Sequence, residues 1–221
     1  MSFADARHNH KTISGLNISV VDFDTLKFVN EEVITNLVRS TYDSLEHKSK
    51  NNIDISLLEK KIQKLSSVAN AEVYVDIDNN LSVNVEQRKP IGRIISSKYN
   101  CYLDENGNKM PLSKLYTAKV ILIDGEVTKK NLNEIYTLIT YIRNDEILNE
   151  QLVSIYVNKK NEYTFRTRKG NQVIEFGKAE DIKQKFDKLL IYYRKTVSDF
   201  GWKRYSKINL KFTNQVVCTK R

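Results

Sequence analysis

Hydrophobic and polar residues alternate one by one near the end of the chain. Ile208, Leu210 and Phe212 are separated by single polar residues, which is the period-two pattern of a strand with one buried face. Thr213 and Asn214 then predict a turn, because Asn tolerates positive φ. Residues 215–220 predict a second strand, which contains neither proline nor glycine. The pattern therefore predicts a terminal β-hairpin, whose last strand can lie at a sheet edge.

The first third of the chain predicts a βααββ unit. In order, the elements are a strand over residues 16–22, a helix capped by Asn30, a helix opened by a capping box of Ser56 and Glu59, and strands over residues 71–77 and 81–85. The alternation places Ile77 on the buried face of the hairpin formed by the last two strands. Pro90 and Gly92 are expected to close this hairpin.

The remainder predicts an α+β arrangement with a mostly antiparallel sheet. Strands are predicted over residues 120–123, 152–157, 163–167 and 172–176, with one helix capped by Asn131 and another over residues 179–197. Gly170 and Asn171 predict a hairpin turn. We therefore expect a leader over residues 1–11, a first domain over 12–97 and a second domain over 98–221.

Composition narrows the classes of protein that fit. The chain has 221 residues and a net charge of +9, but no block of five or six basic residues occurs. The longest apolar runs are far shorter than the ~20 residues that cross a bilayer, and no secretory signal is visible. Either the protein is soluble as it stands, or a membrane anchor lay upstream of the polar leader.

No pattern for catalysis, cofactor or metal binding is found. The three histidines, His8, His10 and His47, lie in polar segments without further ligands nearby. Phosphate-binding loops and nucleophile motifs are absent, so we expect no enzyme, no cofactor and no metal site. Cys101 and Cys218 fall in strand-like segments; buried thiols are the default, and a bridge between them stays open.

Three stretches resemble the bacterial cell-division family FtsQ, called DivIB in some bacteria. The βααββ unit ending in NAEVYVDIDNNLSVNVEQRKPIGRI is similar to the family's POTRA domain, and YLDENGNKMPLS is similar to the start of its β-domain. The tail FGKAEDIKQKFDKLLIYYRKTVSDFGWKRYSKINLKFTNQVVCTKR resembles that of Bacteroidetes-type members. The resemblance covers about residues 12 to 221.

The resemblance implies a single-pass protein of the inner membrane with this region in the periplasm. Residues 1–11 would be the juxtamembrane remnant, and the native anchor is absent from this chain. Family members are non-enzymatic scaffolds that join the bitopic proteins FtsB and FtsL and help control septal peptidoglycan synthesis. Their POTRA domain contacts other divisome components, and no nucleic acid is implied.

The resemblance also implies a partner-binding site at the last strand and the helix before it, where FtsB adds a segment partly as a strand. Tyr193 and Arg194 would flank this site. A proline within residues 215–219 would remove an N–H group and obstruct the edge. The expected partner-binding residues are Trp202, Tyr205, Lys211, Phe212, Gln215, Val216, Val217, Cys218, Thr219 and Lys220.

Three alternatives stay open. The terminal hairpin can simply complete a core, without a partner. The POTRA-like unit also suits a component of outer-membrane assembly or secretion. The positive charge suits a basic nucleic-acid-binding protein.

Overall fold

The computed structural model describes residues 12–42, 45, 48–197 and 201–221. The predicted leader and the three histidines lie outside these residues. The chain forms two compact units. One contains residues up to Lys89 together with Ser113–Ala118, and the other contains Pro90–Leu112 and Lys119–Arg221.

The first unit has the predicted βααββ order. Its elements are β1 (Gly15–Val20), α1 (Glu31–Thr41), α2 (Ile55–Gln63), β2 (Val68–Val75) and β3 (Asn80–Gln87), with a 3₁₀ turn at Lys50–Asn52. The central strand β3 pairs with β1 in parallel and with β2 antiparallel. Side chains from the strands and from both helices form one apolar core.

The predicted N-terminal cap is right for the first helix and wrong for the second. Asn30 accepts a hydrogen bond from the Val33 N–H at 3.0 Å, so the predicted cap of α1 is confirmed. At α2 the prediction is wrong, because Asp54 accepts from the Leu57 N–H at 2.9 Å. Glu59 instead accepts from the Val73 N–H at 3.0 Å, which joins α2 to β2.

Ile77 is not on the buried face of the β2–β3 hairpin; its side chain is 93% exposed. The strand β2 ends at Val75, and the Asp76 carboxylate accepts from the N–H groups of Asp78 and Asn80. These bonds begin the turn one residue before Ile77, so the strand alternation stops there.

The second unit is built on a nine-stranded sheet of order β12-β11-β10-β9-β8-β7-β4-β5-β6. Five of its neighbouring pairs are antiparallel, and β4–β7, β7–β8 and β10–β11 are parallel. The strands are β4 (Pro90–Ile95), β5 (Asn100–Asp104), β6 (Lys109–Met110), β7 (Ile121–Gly125), β8 (Leu152–Val157), β9 (Tyr163–Thr167), β10 (Val173–Gly177), β11 (Tyr205–Asn209) and β12 (Val217–Lys220). The predicted α+β class with a mostly antiparallel sheet is confirmed.

Three helices cover one face of this sheet: α3 (Leu132–Arg143), α4 (Glu146–Gln151) and α5 (Ile182–Tyr192). The predicted last helix is shorter than expected, because the chain continues from α5 into a π-helical turn at Tyr193–Val197. Asn131 precedes α3 but does not cap it; its side chain bonds to the Thr128 N–H and the Glu126 carbonyl. Within the described ranges, no helix has both the length and the apolar character needed to cross a membrane.

A single row of cross-strand neighbours runs through the sheet on its helix-covered face. Each residue pairs in register with the next, and the six inner members are fully buried. We call it the buried row; its members are Cys101, Ile94, Ile123, Ile155, Phe165, Ile174, Ile208 and Cys218. Burial of each large apolar member contributes about 1.5–3 kcal/mol.

Pro90 and Gly92 open β4 rather than closing the preceding hairpin. A side chain at Gly92 would meet Ile123 Cδ1 at 2.7 Å and Ile139 Cδ1 at 2.9 Å, so glycine permits the close packing of β4 against its neighbours. Residues 90–95 therefore belong to the second sheet, whereas the sequence placed them in the first domain. The division lies at residues 89 and 90, earlier than the expected 97 and 98.

The buried amide of Gln87 holds the loop between β1 and α1. Its Oε1 accepts from the N–H groups of Phe28 at 2.9 Å and Val29 at 3.0 Å. Its Nε2 donates to the carbonyls of Val21 at 3.2 Å and Leu26 at 2.8 Å. The two donor and two acceptor positions of this side-chain amide are thus all used within one loop.

We expect Gln87→Leu to lower the free energy of unfolding by about 2–4 kcal/mol, because it removes four hydrogen bonds to the main chain, two of them from buried N–H groups. Chemical denaturation followed by circular dichroism measures the change. Gln63→Leu is the matched control, since the bonds of Gln63 to Asn70 and Ala71 are long, at 3.4 and 3.3 Å. Equal effects of the two substitutions would contradict the assigned role of Gln87.

Candidate partner-binding site

The last strand, β12, lies at an edge of the nine-stranded sheet. It pairs with β11 on one side, and no other strand of the described chain pairs with it. The opposite edge is β6, which has only two residues. The four-residue β12 is therefore the longer of the two edges, and the predicted edge position of the last strand is confirmed.

One hydrogen bond establishes which main-chain groups of β12 face outward. The Arg221 N–H donates to the Arg204 carbonyl at 3.2 Å, so the groups of Arg221 face β11. Along an antiparallel strand, the main-chain groups of successive residues point alternately toward and away from the partner strand. The register shift between β11 and β12 lies between Tyr205 and Lys207 on β11, so it does not interrupt this alternation along β12. Val217 and Thr219 therefore also face β11, whereas both main-chain groups of Cys218 and the N–H group of Lys220 face away from it. The Lys220 carbonyl accepts a hydrogen bond from the Ser206 hydroxyl at 3.5 Å.

A groove of about 600 Å³ lies beside this edge, between β12 and α5, and we call it the edge groove. Helix α5 and the turn after it form one wall, and the terminal hairpin forms the other. Its lining residues are Lys188, Ile191, Tyr192, Lys195, Thr196, Tyr205, Asn214, Gln215, Val216, Cys218 and Lys220. None of them is acidic.

Five of the ten predicted site residues line the edge groove: Tyr205, Gln215, Val216, Cys218 and Lys220. Strand alternation predicts Val216, Cys218 and Lys220 on one face and Gln215, Val217 and Thr219 on the other. The first three do line the groove, but Gln215 lines it as well, contrary to that prediction. Val217 and Thr219 belong to the opposite face of the sheet, where Val217 is 43% exposed. Gln215 and Val216 precede β12 rather than belonging to it.

Lys211 and Phe212 were expected on the first strand of the hairpin, and the structure places them outside it. Strand β11 ends at Asn209, whose side chain accepts from the Lys211 N–H at 2.9 Å and turns the chain. The Lys211 ammonium then lies 3.6 Å from the Glu162 carboxylate, and Phe212 is 47% exposed. The connection to β12 thus spans residues 210–216, longer than the two-residue turn predicted from Thr213 and Asn214.

Trp202, which is half-buried, packs on the buried ring of Tyr193 and does not line the edge groove. Their ring centroids lie 5.1 Å apart, and Tyr193 is only 5% exposed. Burial raises the pKa of the Tyr193 hydroxyl. Arg194 is exposed and does not line the edge groove.

Tyr192 supplies part of the groove wall, although it is 93% buried with only 7% of its surface exposed. Its ring lies 6.2 Å from that of Tyr205, and burial raises the pKa of its hydroxyl to about 12. The hydroxyl lies beside Gln172 without closing a hydrogen bond to it. The part of the wall that Tyr192 forms is therefore an apolar ring with a hydroxyl that stays neutral at physiological pH.

Lys188 is the residue of this site that sequence reasoning missed. Its ammonium group donates to the carbonyls of Leu210 at 3.2 Å and Thr213 at 3.3 Å, and also to that of Phe212. These bonds hold the connection between β11 and β12 against α5. The helical spacing of Lys188, Ile191, Tyr192 and Lys195 puts them on one face, which is a signal that the sequence does contain.

The two cysteines stand at opposite ends of the buried row. Seven interstrand steps separate β5 from β12, which corresponds to about 34 Å at ~4.8 Å per step. A disulfide requires Cα atoms within about 7 Å, so Cys101 and Cys218 are free thiols, each half-buried. Partial burial raises the pKa of both thiols.

Comparison with known proteins gives two family matches. Residues 89–219, more than half of the chain, match the family described as FtsQ/DivIB, C-terminal related. Residues 11–86 match the POTRA-like domain. No curated protein matches the chain.

Among the residues that the structure describes, no three His, Cys, Asp or Glu side chains are grouped so as to hold a metal ion.

We expect Lys188→Met to loosen the connection before β12, because three carbonyls lose their donor while the apolar stem is kept. Hydrogen–deuterium exchange should become faster over residues 210–216, and the free energy of unfolding should fall by about 1–2 kcal/mol. Lys183→Met is the control, because Lys183 makes only an exposed pair with Asp187. Unchanged exchange in Lys188→Met would refute the role of Lys188.

The sheet order also predicts the redox state of the thiols. Protein alkylated in denaturant without prior reduction should gain two carbamidomethyl groups, one at each cysteine, by intact-mass analysis. A monomeric species that gains none would contradict the separation of β5 and β12.

Proposed function

The chain belongs to the FtsQ/DivIB, C-terminal-related family, which makes it a cell-division protein, and we propose that it acts as a scaffold that binds a partner segment at the free edge of β12. The proposed partner is a bitopic division protein of the FtsB or FtsL type. In this proposal the partner segment adds as a further strand to the sheet and places alternate side chains in the edge groove. Binding and positioning constitute the whole activity, without a chemical step.

The outward main-chain groups of Cys218 and Lys220 carry this proposal. The two N–H groups and the Cys218 carbonyl offer two donors and one acceptor in the geometry of a sheet ladder, which a partner strand can satisfy whatever its sequence. Each main-chain hydrogen bond contributes a net ~0.5–1.5 kcal/mol, so the edge alone supports only modest affinity. Apolar contact with Ile191, Val216 and Cys218 in the edge groove supplies the remainder and selects the partner.

Membership of the family also supports proposals about the location of the protein and its other contacts in the division machinery. Proteins of this family are membrane-anchored, and we propose a single-pass inner-membrane location with both described units in the periplasm. We propose that the POTRA-like domain contacts other divisome components and that the scaffold helps control septal peptidoglycan synthesis. The hypothesis of an outer-membrane assembly component is disfavoured, because the second half of the chain matches the FtsQ/DivIB model.

The structure changes the choice of test variant. A proline at Val217 or Thr219 would break the hairpin itself, because their N–H groups face β11. A proline at Cys218 or Lys220 removes an N–H group that faces outward and leaves the β11–β12 bonds in place.

We expect Cys218→Pro to lower the affinity for the cognate FtsB-type partner at least about tenfold, since it removes one ladder bond and obstructs a second strand. Isothermal calorimetry measures the affinity, and circular dichroism checks the fold. Cys218→Ala is the control for loss of the thiol and should bind nearly as wild type. Lys220→Pro, at the end of the strand, serves as a second variant. Full binding by either folded proline variant would refute strand addition at this edge.

A further inference from the structure

Almost all of the net charge of the chain lies in its last 34 residues. Residues 188–221 contain nine Lys or Arg residues and one Asp, a net charge of +8, against +9 for the whole chain. Basic residues occur throughout the sequence, but elsewhere acidic residues balance them. The terminal excess falls on the elements that form both walls of the edge groove.

Several of these basic side chains have partners within the protein. Lys207 pairs with Glu175 at 3.0 Å, and Lys211 pairs with Glu162. Lys188 is bonded to carbonyls, and Arg221 donates to the Gly170 carbonyl. These charges are accordingly used in holding the second unit together.

Lys195 and Lys220 differ from these four residues. One lies on the helical wall of the edge groove and the other on β12, and both are exposed. Neither ammonium group has a hydrogen bond or an ion pair within the described part of the chain. Because the groove has no acidic lining residue, two uncompensated ammonium groups of like sign border the same opening.

Apolar side chains also line the edge groove, beside polar ones such as Thr196 and Asn214. Ile191 is 50% exposed, although it belongs to a helix whose neighbouring residues are buried, and Val216 and Cys218 are half-buried beside it. The edge groove therefore combines an apolar seat with a basic border and with the outward main-chain groups of Cys218 and Lys220.

We propose that the edge groove is selective for an acidic peptide segment in which Asp or Glu residues flank an apolar side chain. The apolar side chain lies in the seat beside Ile191, and the flanking carboxylates lie near Lys195 and Lys220. This inference rests on the proposed function and adds the chemistry of the partner to it.

The same charges disfavour pairing between two copies of the open edge. Two β12 edges brought together would bring two basic surfaces into contact, and like charges near a strand pair are destabilising. An acidic segment experiences the opposite field, which speeds its association and favours it over neutral or basic strands. Exposed pairs of this kind contribute little affinity each, so their main effect is selection and rate.

An unbiased selection tests this inference. A displayed library of random peptides is selected against the whole folded chain, and Cys218→Pro is used to identify the peptides that need the edge. We expect the edge-dependent peptides to carry net negative charge, with Asp or Glu on both sides of an apolar residue. Their affinity should fall about three- to twentyfold in Lys195→Gln/Lys220→Gln and should weaken as salt rises.

The control variant is Lys129→Gln/Lys130→Gln, which makes the same change of charge at two exposed lysines outside the edge groove and should leave affinity within about twofold. Edge-dependent peptides that are neutral or basic would overturn the acidic preference and leave strand addition standing. If no peptide depends on the edge, both proposals fail. Tighter binding of vesicles rich in anionic phospholipid, or of a nucleic-acid duplex, through Lys195 and Lys220 would also overturn the peptide preference.

Discussion

The second unit depends on the buried row, the line of cross-strand side chains that ends at Cys101 and Cys218. Its six inner residues have no exposed surface and are covered by α3, α4 and α5. Because side chains alternate strictly along a strand, a slip of one residue would move an apolar member of the row to the open face. The row therefore determines the register of each strand down to the edge, where Cys218 is its last member.

The properties of the candidate site follow from that register. With Cys218 turned toward the helices, Lys220 shares its side of the strand and Val217 and Thr219 lie on the other. The β11 pairing uses the main-chain groups of Val217 and Thr219, so the N–H groups of Cys218 and Lys220 remain directed outward. The residues that complete the edge ladder are thus the same ones whose side chains reach the edge groove. Lys188 supports this arrangement from α5 by holding the connection before β12.

Much of this arrangement could be predicted from the sequence, because it depends on local alternation. The alternation around Ile208 and Leu210 predicts a strand, and the last strand of a chain can lie at an edge. The predictions that were wrong depend on competition between nearby polar groups. Asp54 rather than Ser56 caps α2, and Asn209 ends β11 before Lys211. No local pattern distinguishes these residues from neighbours with the same chemistry. The role of Gly92 could not be predicted from local sequence, because the residues that require a glycine there, Ile123 and Ile139, are distant along the chain. The glycine was therefore interpreted as the end of a hairpin.

The central claim is that the amides of Cys218 and Lys220 are unpaired in the free protein and paired in the complex. Residue-resolved amide exchange by NMR, with and without the cognate FtsB-type partner, measures this directly. Our account predicts fast exchange at Cys218 and Lys220 and slower exchange at Val217 and Thr219 in the free protein. In the complex, all four amides should be slow. Equal protection of the four amides in the free protein, or continued fast exchange at Cys218 and Lys220 in the complex, would contradict it.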